Sequence, residues 1–259
     1  MKLQGLPPLF NKNAIILSCL ALFVNLVFLF FNYDKKALCP GYAQQHQEVA
    51  ESVYKYNSIK VGELKDGKPS KHRSYADTPA YGLIIGLLWK ITHSQNILNI
   101  KIFQILLFVF LMLFFYQIAF MLFASARTAF ISGIALLFFF PMIYLNVQIA
   151  KDGWVFYGGV VLLYTILKYI IFGPSFLYLF IGSSFFALLQ WLRPSLIFTT
   201  LLFTTIITLI YMIIYKYNLK KIVLSLFFLI LPNLMFFWAP FAAYNKVAYN
   251  RYIILPKGT

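Results

Sequence analysis

The 259-residue chain is 61% hydrophobic and only 11% charged, with 22 Lys or Arg against 7 Asp or Glu and a formal net charge of +15. A soluble domain carries about 25% charged residues. The deficit, together with repeated apolar runs of about 18 residues or more, excludes an ordinary soluble domain and places the chain among polytopic membrane proteins. The positive charge sits at the ends of apolar runs and through one polar interval, with no basic-aromatic nucleic-acid motif, so nucleic acid is excluded in favour of membrane lipids and lipid phosphates.

The first apolar run, Ala14–Phe31, follows Lys2 and Lys12. It exceeds the roughly 7–15 residues of a signal-peptide core and no small-x-small cleavage site follows, so it reads as an uncleaved first span. Asn32 to His93 is then the only long polar interval, and it holds six of the seven acids: Asp34, Glu48, Glu51, Glu63, Asp66 and Asp77. Inside it, QQHQEVAESVYKY predicts a short amphipathic helix with Glu48, Glu51 and Lys55 on one face, and His46 reads as a surface histidine. Pro79–Ile91 is apolar but too short to cross a bilayer. Pro79 suits a first helical turn, and Trp89 and Lys90 suit a membrane interface, so this stretch predicts an interfacial or re-entrant helix. Gly82 and Gly86 form a small-xxx-small pair, which either admits a second helix at close range or is merely tolerated.

Six further spans are expected at Ile102–Phe123, Ala129–Leu145, Trp154–Phe172, Ser175–Leu192, Leu196–Tyr215 and Ile222–Ala243. Runs of about 17–22 residues match a hydrocarbon core of about 30 Å, and lipid leaves the backbone no partner outside a helix. The expected fold is a single all-α polytopic membrane domain over 1–259: about seven transmembrane helices, a long outer loop and interfacial helix over 32–93, and an outer tail over 244–259. The short loops orient it. Lys2, Lys12, Arg127, Lys168, Lys216, Lys220 and Lys221 fall on one side with no acid, which makes that side, and the N-terminus, cytoplasmic. The expected location is a bacterial inner or plasma membrane with the polar interval outside.

Carboxylates so few and so concentrated mark the place for chemistry. Asp34, three residues past the first span, is either a general base held at the membrane mouth or a solvated acid beside Lys35 and Lys36. Glu48 joins His46 in proton transfer or lies on a solvated face. Asp77 precedes Pro79 by two residues, so it either lies along the membrane surface with Arg73 or caps the following helix. Lys151-Asp152, at the start of the fourth span, is an acid-base pair brought under the loop or a cap with a snorkelling lysine. Arg193-Pro194, at the end of the fifth span, binds a phosphate or a headgroup. Cys19 and Cys39 read as inert thiols. There is no P-loop, GxGxxG, HExxH, CxxC or GxSxG, and no span holds an acid, which argues against an ion-coupled transporter. No cofactor is implied; a divalent metal between Asp152 and the loop carboxylates stays open.

The order of these parts resembles the N-terminal half of GT-C-type membrane glycosyltransferases, the protein O-mannosyltransferase and aminoarabinose-transferase-like group. One span is followed at once by a long outer loop, which closes on ADTPAYGLIIGLLWKITH. An outer turn with an acid, AKDGW, comes after the third span, LQWLRPSLIF carries an Arg-Pro, and YNKVAYNRYIILPKGT is similar to the outer segment that follows the family's seventh span. The resemblance implies inverting transfer of a sugar from a polyprenyl-phosphate donor to a glycan, lipid or protein acceptor on the outer face. A carboxylate (Asp34, Glu48, Asp77 or Asp152) would deprotonate the acceptor hydroxyl, and Arg73, Lys151, Arg193 and Arg251 would hold the lipid phosphate. The family's first-loop acid is replaced here by Gln44 and Gln45, and Thr78 stands where some members have Lys. Members also continue well beyond this length, which reads the chain as a truncated or degenerate member. A polysaccharide polymerase or ligase, and a non-catalytic membrane scaffold, are the competing expectations.

Overall fold

The computed structural model describes residues 7–32, 40–56, 79–139, 143, 151–172, 176–192, 197–214 and 216–238. The described residues form helices and connecting turns: α1 (Lys12–Asn32), α2 (Pro40–Tyr56), α3 (Pro79–Thr92), α4 (Ile97–Phe123), α5 (Ala126–Leu137), α6 (Lys151–Phe172), α7 (Leu177–Gln190), α8 (Ile197–Ile214) and α9 (Leu219–Asn233), the last running into a π-helical turn at Leu234–Trp238. Among the described residues, four stretches are long and apolar enough to cross a membrane: Lys12–Phe31, Ile97–Phe123, Gly153–Phe172 and Leu219–Phe236. The protein is therefore a helical integral membrane protein by the length and composition of its helices.

Several boundaries differ from the expected spans for local reasons. Asn96 caps α4, its side chain accepting from the Leu98 amide at 2.9 Å, so the helix begins five residues before Ile102. Asn218 does the same for α9 through the Lys221 amide at 2.9 Å. Of the third expected span, Ala129–Leu145, the described part belongs to a 12-residue helix ending at Leu137, and most of 140–145 lies outside the described residues. Pro141 follows four residues later, and its ring would strike the Leu137 carbonyl in a continuous helix. Within α9, Pro232 removes the amide that would bond the Phe228 carbonyl, and the next turn widens into the π form.

Cross-helix contacts give the directions. Ser18 Oγ donates to the Val109 carbonyl at 3.1 Å and Asn13 Nδ2 to Tyr116 Oη at 3.4 Å, so α1 runs antiparallel to α4. Phe103 meets Trp154 and Phe114 meets Tyr164, with ring centroids 5.6 and 5.0 Å apart, so α6 runs parallel to α4. α7 returns antiparallel along α6, and α9 then follows α7. The bundle therefore has two unlike ends. One collects the end of α1, the α2–α3 pair and the starts of α4 and α6. The other carries Lys12, Arg127, Lys168, Lys216, Lys220 and Lys221, with no acid among its described residues.

Polar contacts inside the bundle join α7 to α9. Asn233 Nδ2 donates to Ser183 Oγ at 2.7 Å and to the Leu229 carbonyl at 2.9 Å, while Ser183 Oγ donates to that same carbonyl. Trp191 Nε1 donates to the Phe236 carbonyl within the π turn at 2.8 Å. An Asn233→Leu variant is expected to lose about 1 kcal/mol of stability, the usual worth of such bonds in lipid. SDS-titrated unfolding in mixed micelles measures it; an unchanged midpoint would mean the amide contributes packing alone.

Candidate functional site

The polar interval contributes two described helices that pack on each other. In α2 the alternation of polar and small apolar residues works as expected: Val49, Ala50 and Val53 are buried, while Lys55 pairs with Glu51 at 3.8 Å on the exposed face. Gln47 supports the same face, its Nε2 donating to Glu51 at 3.3 Å. The buried face of α2 lies on the two glycines of α3. A Cβ on Gly86 would stand 2.6 Å from Val53 Cβ and 2.8 Å from the Ala50 carbonyl, and one on Gly82 would overlap Val49 and come within 2.9 Å of the His46 carbonyl. The glycines are thus required by the approach of the two backbones.

Two expectations are corrected here. His46, expected at the surface, is buried, and its ring meets the edge of Tyr81 with centroids 5.0 Å apart. Trp89, expected at the membrane interface, is only 1% exposed and packs among Tyr54, Ile85 and Ile100. Both sit inside because α2 covers the face of α3 that would otherwise meet lipid or water.

Beneath the pair lies a buried polar and aromatic layer. Gln104 of α4, fully buried, donates from Nε2 to Tyr81 Oη at 3.2 Å. Tyr81 meets Trp154 at 6.1 Å between centroids, so the start of α6 reaches the start of α3. Burial pushes the Tyr81 hydroxyl far above its ordinary pKa, neighbouring Tyr157 adds to the rise and the Gln104 bond opposes it. Tyr81 is therefore a neutral hydrogen-bonding group at physiological pH. Lys101 is buried one turn before Gln104, and the indole N–H groups of Trp89 and Trp154 are buried with no acceptor among the described residues.

The sequence-predicted site residues stand as follows. Asp34, Arg73, Asp77, Arg193 and Arg251 lie outside the described residues. Glu48 belongs to α2 and Lys151-Asp152 to the first turn of α6, their backbones described without their side chains. Asp152 is two residues before Trp154, so the backbone of that acid comes to the helix pair of the polar interval. Among the described residues no three His, Cys, Asp or Glu side chains are grouped to hold a metal ion. Tyr81, Lys101, Gln104 and Trp154 are the residues that sequence reading passed over. Gln104 had a usable signal, since an isolated amide within an apolar helix faces a bundle interior rather than lipid. Comparisons with protein-family models, with curated proteins and with solved structures give no match to this chain.

Proposed function

We propose that this chain is a membrane glycosyltransferase of the GT-C type, transferring a sugar from a polyprenyl-phosphate donor to an acceptor hydroxyl on the outer face. In this reading seven segments cross the bilayer, those over 129–145, 175–192 and 196–215 adding to the four long apolar helices, and the α2–α3 pair lies outside. The unequal charge of the two bundle ends supports that orientation, because the basic, acid-free end is the one retained in the cytoplasm.

The observation that carries the proposal is the meeting of the polar interval with the start of α6 through Tyr81 and Trp154. It brings the backbone of Asp152, the one acid outside the interval, toward the helices that the acidic interval contributes. A carboxylate from Asp34, Glu48, Asp77 or Asp152 takes the proton of the acceptor hydroxyl. The hydroxyl oxygen then forms a bond to the anomeric carbon as the bond from that carbon to the phosphate oxygen breaks, inverting the centre. The electron pair leaves on the lipid phosphate, held by cations drawn from Arg73, Lys151, Arg193 and Arg251.

The test is sugar transfer in membranes carrying each of Asp34→Asn, Glu48→Asn, Asp77→Asn and Asp152→Asn. At least one variant is expected to lose tenfold or more of kcat with the protein still inserted at wild-type level. Equal transfer by all four removes the base from this set. The absence of any transfer by the wild-type chain across polyprenyl-phosphate donors rejects the reaction itself in favour of a non-catalytic role.

A further inference from the structure

The opposite end of the bundle holds a second arrangement that the transfer reaction does not use. Lys168, four residues before the end of α6, donates from Nζ to Tyr164 Oη at 3.2 Å and to Tyr178 Oη at 3.4 Å. The same ammonium lies 5.4 and 4.6 Å from the two ring centroids. Across the adjoining turn, Lys221 Nζ stands 4.9 Å from the Tyr217 centroid, and Tyr217 Oη donates to the Ile170 carbonyl at 2.8 Å. That bond ties the start of α9 to the end of α6. Exposed Lys216 and Lys220 complete the group.

Neutral hydroxyls and ring faces orient these ammonium groups without cancelling their charge. No Asp or Glu follows Asp152 anywhere in the chain. Asp152 itself is at the other end of α6, roughly 24 Å of helix rise from Lys168. The lysines also mark a bilayer boundary, since Lys168 lies near the end of one long apolar stretch and Lys220 and Lys221 near the start of another. Beside them Phe172, Leu177, Leu219 and Val223 are exposed apolar side chains.

From this juxtaposition we propose that Lys168 and Lys221, with Tyr164, Tyr178 and Tyr217, form a binding site for the phosphate headgroup of an anionic phospholipid. Its acyl chains lie along the exposed apolar residues of α6, α7 and α9. A lipid is the better ligand than a free phosphate because the charge and the apolar surface adjoin at the end of membrane-crossing helices. Lysine serves here as a point charge toward phosphate, while the tyrosines hold it at the headgroup level.

The experiment uses the full chain in neutral detergent, titrated with phosphatidylglycerol and followed by native mass spectrometry of the bound lipid. The double variant Lys168→Gln/Lys221→Gln is expected to bind roughly thirtyfold more weakly, the effect of removing two basic residues at a membrane surface. Lys168→Arg retains binding, and Lys55→Gln, at the other end, changes nothing. Phosphatidylcholine binds far less than phosphatidylglycerol, and millimolar inorganic phosphate does not displace the lipid. Unchanged affinity in the double variant overturns the site, as does equal binding of the two lipids, and displacement by inorganic phosphate replaces it with a free-anion site. If the double variant loses its helical circular dichroism, the exposed Lys221→Gln alone replaces it, with roughly fivefold weaker binding expected, and wild-type affinity there overturns the proposal.

Discussion

A chain with leucine at both Gly82 and Gly86 is expected to lose the packing of α2 on α3 and to melt roughly 5 °C or more below the wild type. The effect follows from the distance between backbones rather than from lost apolar area. At Gly86 a Cβ alone comes within 2.6 Å of Val53 Cβ and 2.8 Å of the Ala50 carbonyl, and at Gly82 the first atom overlaps Val49. Main-chain oxygens cannot step aside as the tip of a long side chain can, so relief requires the helices to separate. Overpacking of this kind costs about 1–3 kcal/mol per site, and for a chain of this size each kcal/mol is about 2–4 °C. Separation would also uncover His46, Trp89 and Ala50, all buried against the pair. Hydrogen exchange at the Val49 and Val53 amides reads the local event, and scanning calorimetry in detergent reads the global one. Wild-type protection in the double variant would show that the hairpin is held by something other than this close approach. Under the proposed reaction the same variant loses sugar transfer while remaining inserted, because α2 and α3 carry the polar interval to the start of α6.

Gly182→Leu is expected to disrupt the packing of α6 on α7, costing about 3 kcal/mol at the upper range for overpacking. A Cβ at Gly182 would run into Thr165 Oγ1 of α6, with Thr165 Cβ and Cγ2 each at 2.8 Å. Thr165 cannot rotate away freely, because its hydroxyl donates to the Leu162 carbonyl at 2.8 Å within a buried environment. The contact fixes how closely α6 and α7 approach, and Gly158 repeats the pattern nearer the start of α6, where a Cβ would stand 3.0 Å from Leu189. A double-mutant cycle separates the steric term from general helix effects. Gly182→Ala is expected to cost about 1–2 kcal/mol alone, and Thr165→Gly to recover most of that when the two are combined. Additive losses would remove Thr165 as the opposing surface.

How much of this was legible beforehand differs between the bundle and the site. Apolar length marked each of the four described helices long enough to cross a membrane, because lipid forces the backbone to satisfy itself within one segment. For Ala129–Leu145 the same signal ran past Leu137, where the described helix ends four residues before Pro141. Charge sidedness was equally open to reading, since Lys216, Lys220 and Lys221 cluster within six residues between two apolar runs. The amphipathic period of α2 was visible in QQHQEVAESVYKY, but the occupant of its apolar face was not.

Length, polarity and charge distribution by themselves determined that the chain is a helical membrane protein with one acidic interval and one basic end. These are properties of transfer between water and lipid, and they add residue by residue along a segment. Only the tertiary structure decided that Gly82 and Gly86 admit α2, that His46 and Trp89 are interior, and that Tyr81, Gln104 and Trp154 join the acidic interval to α6. Such outcomes depend on which face of one helix meets which face of another. That choice is set by the shape of the facing surfaces, where the absence of a Cβ counts as much as any side chain present.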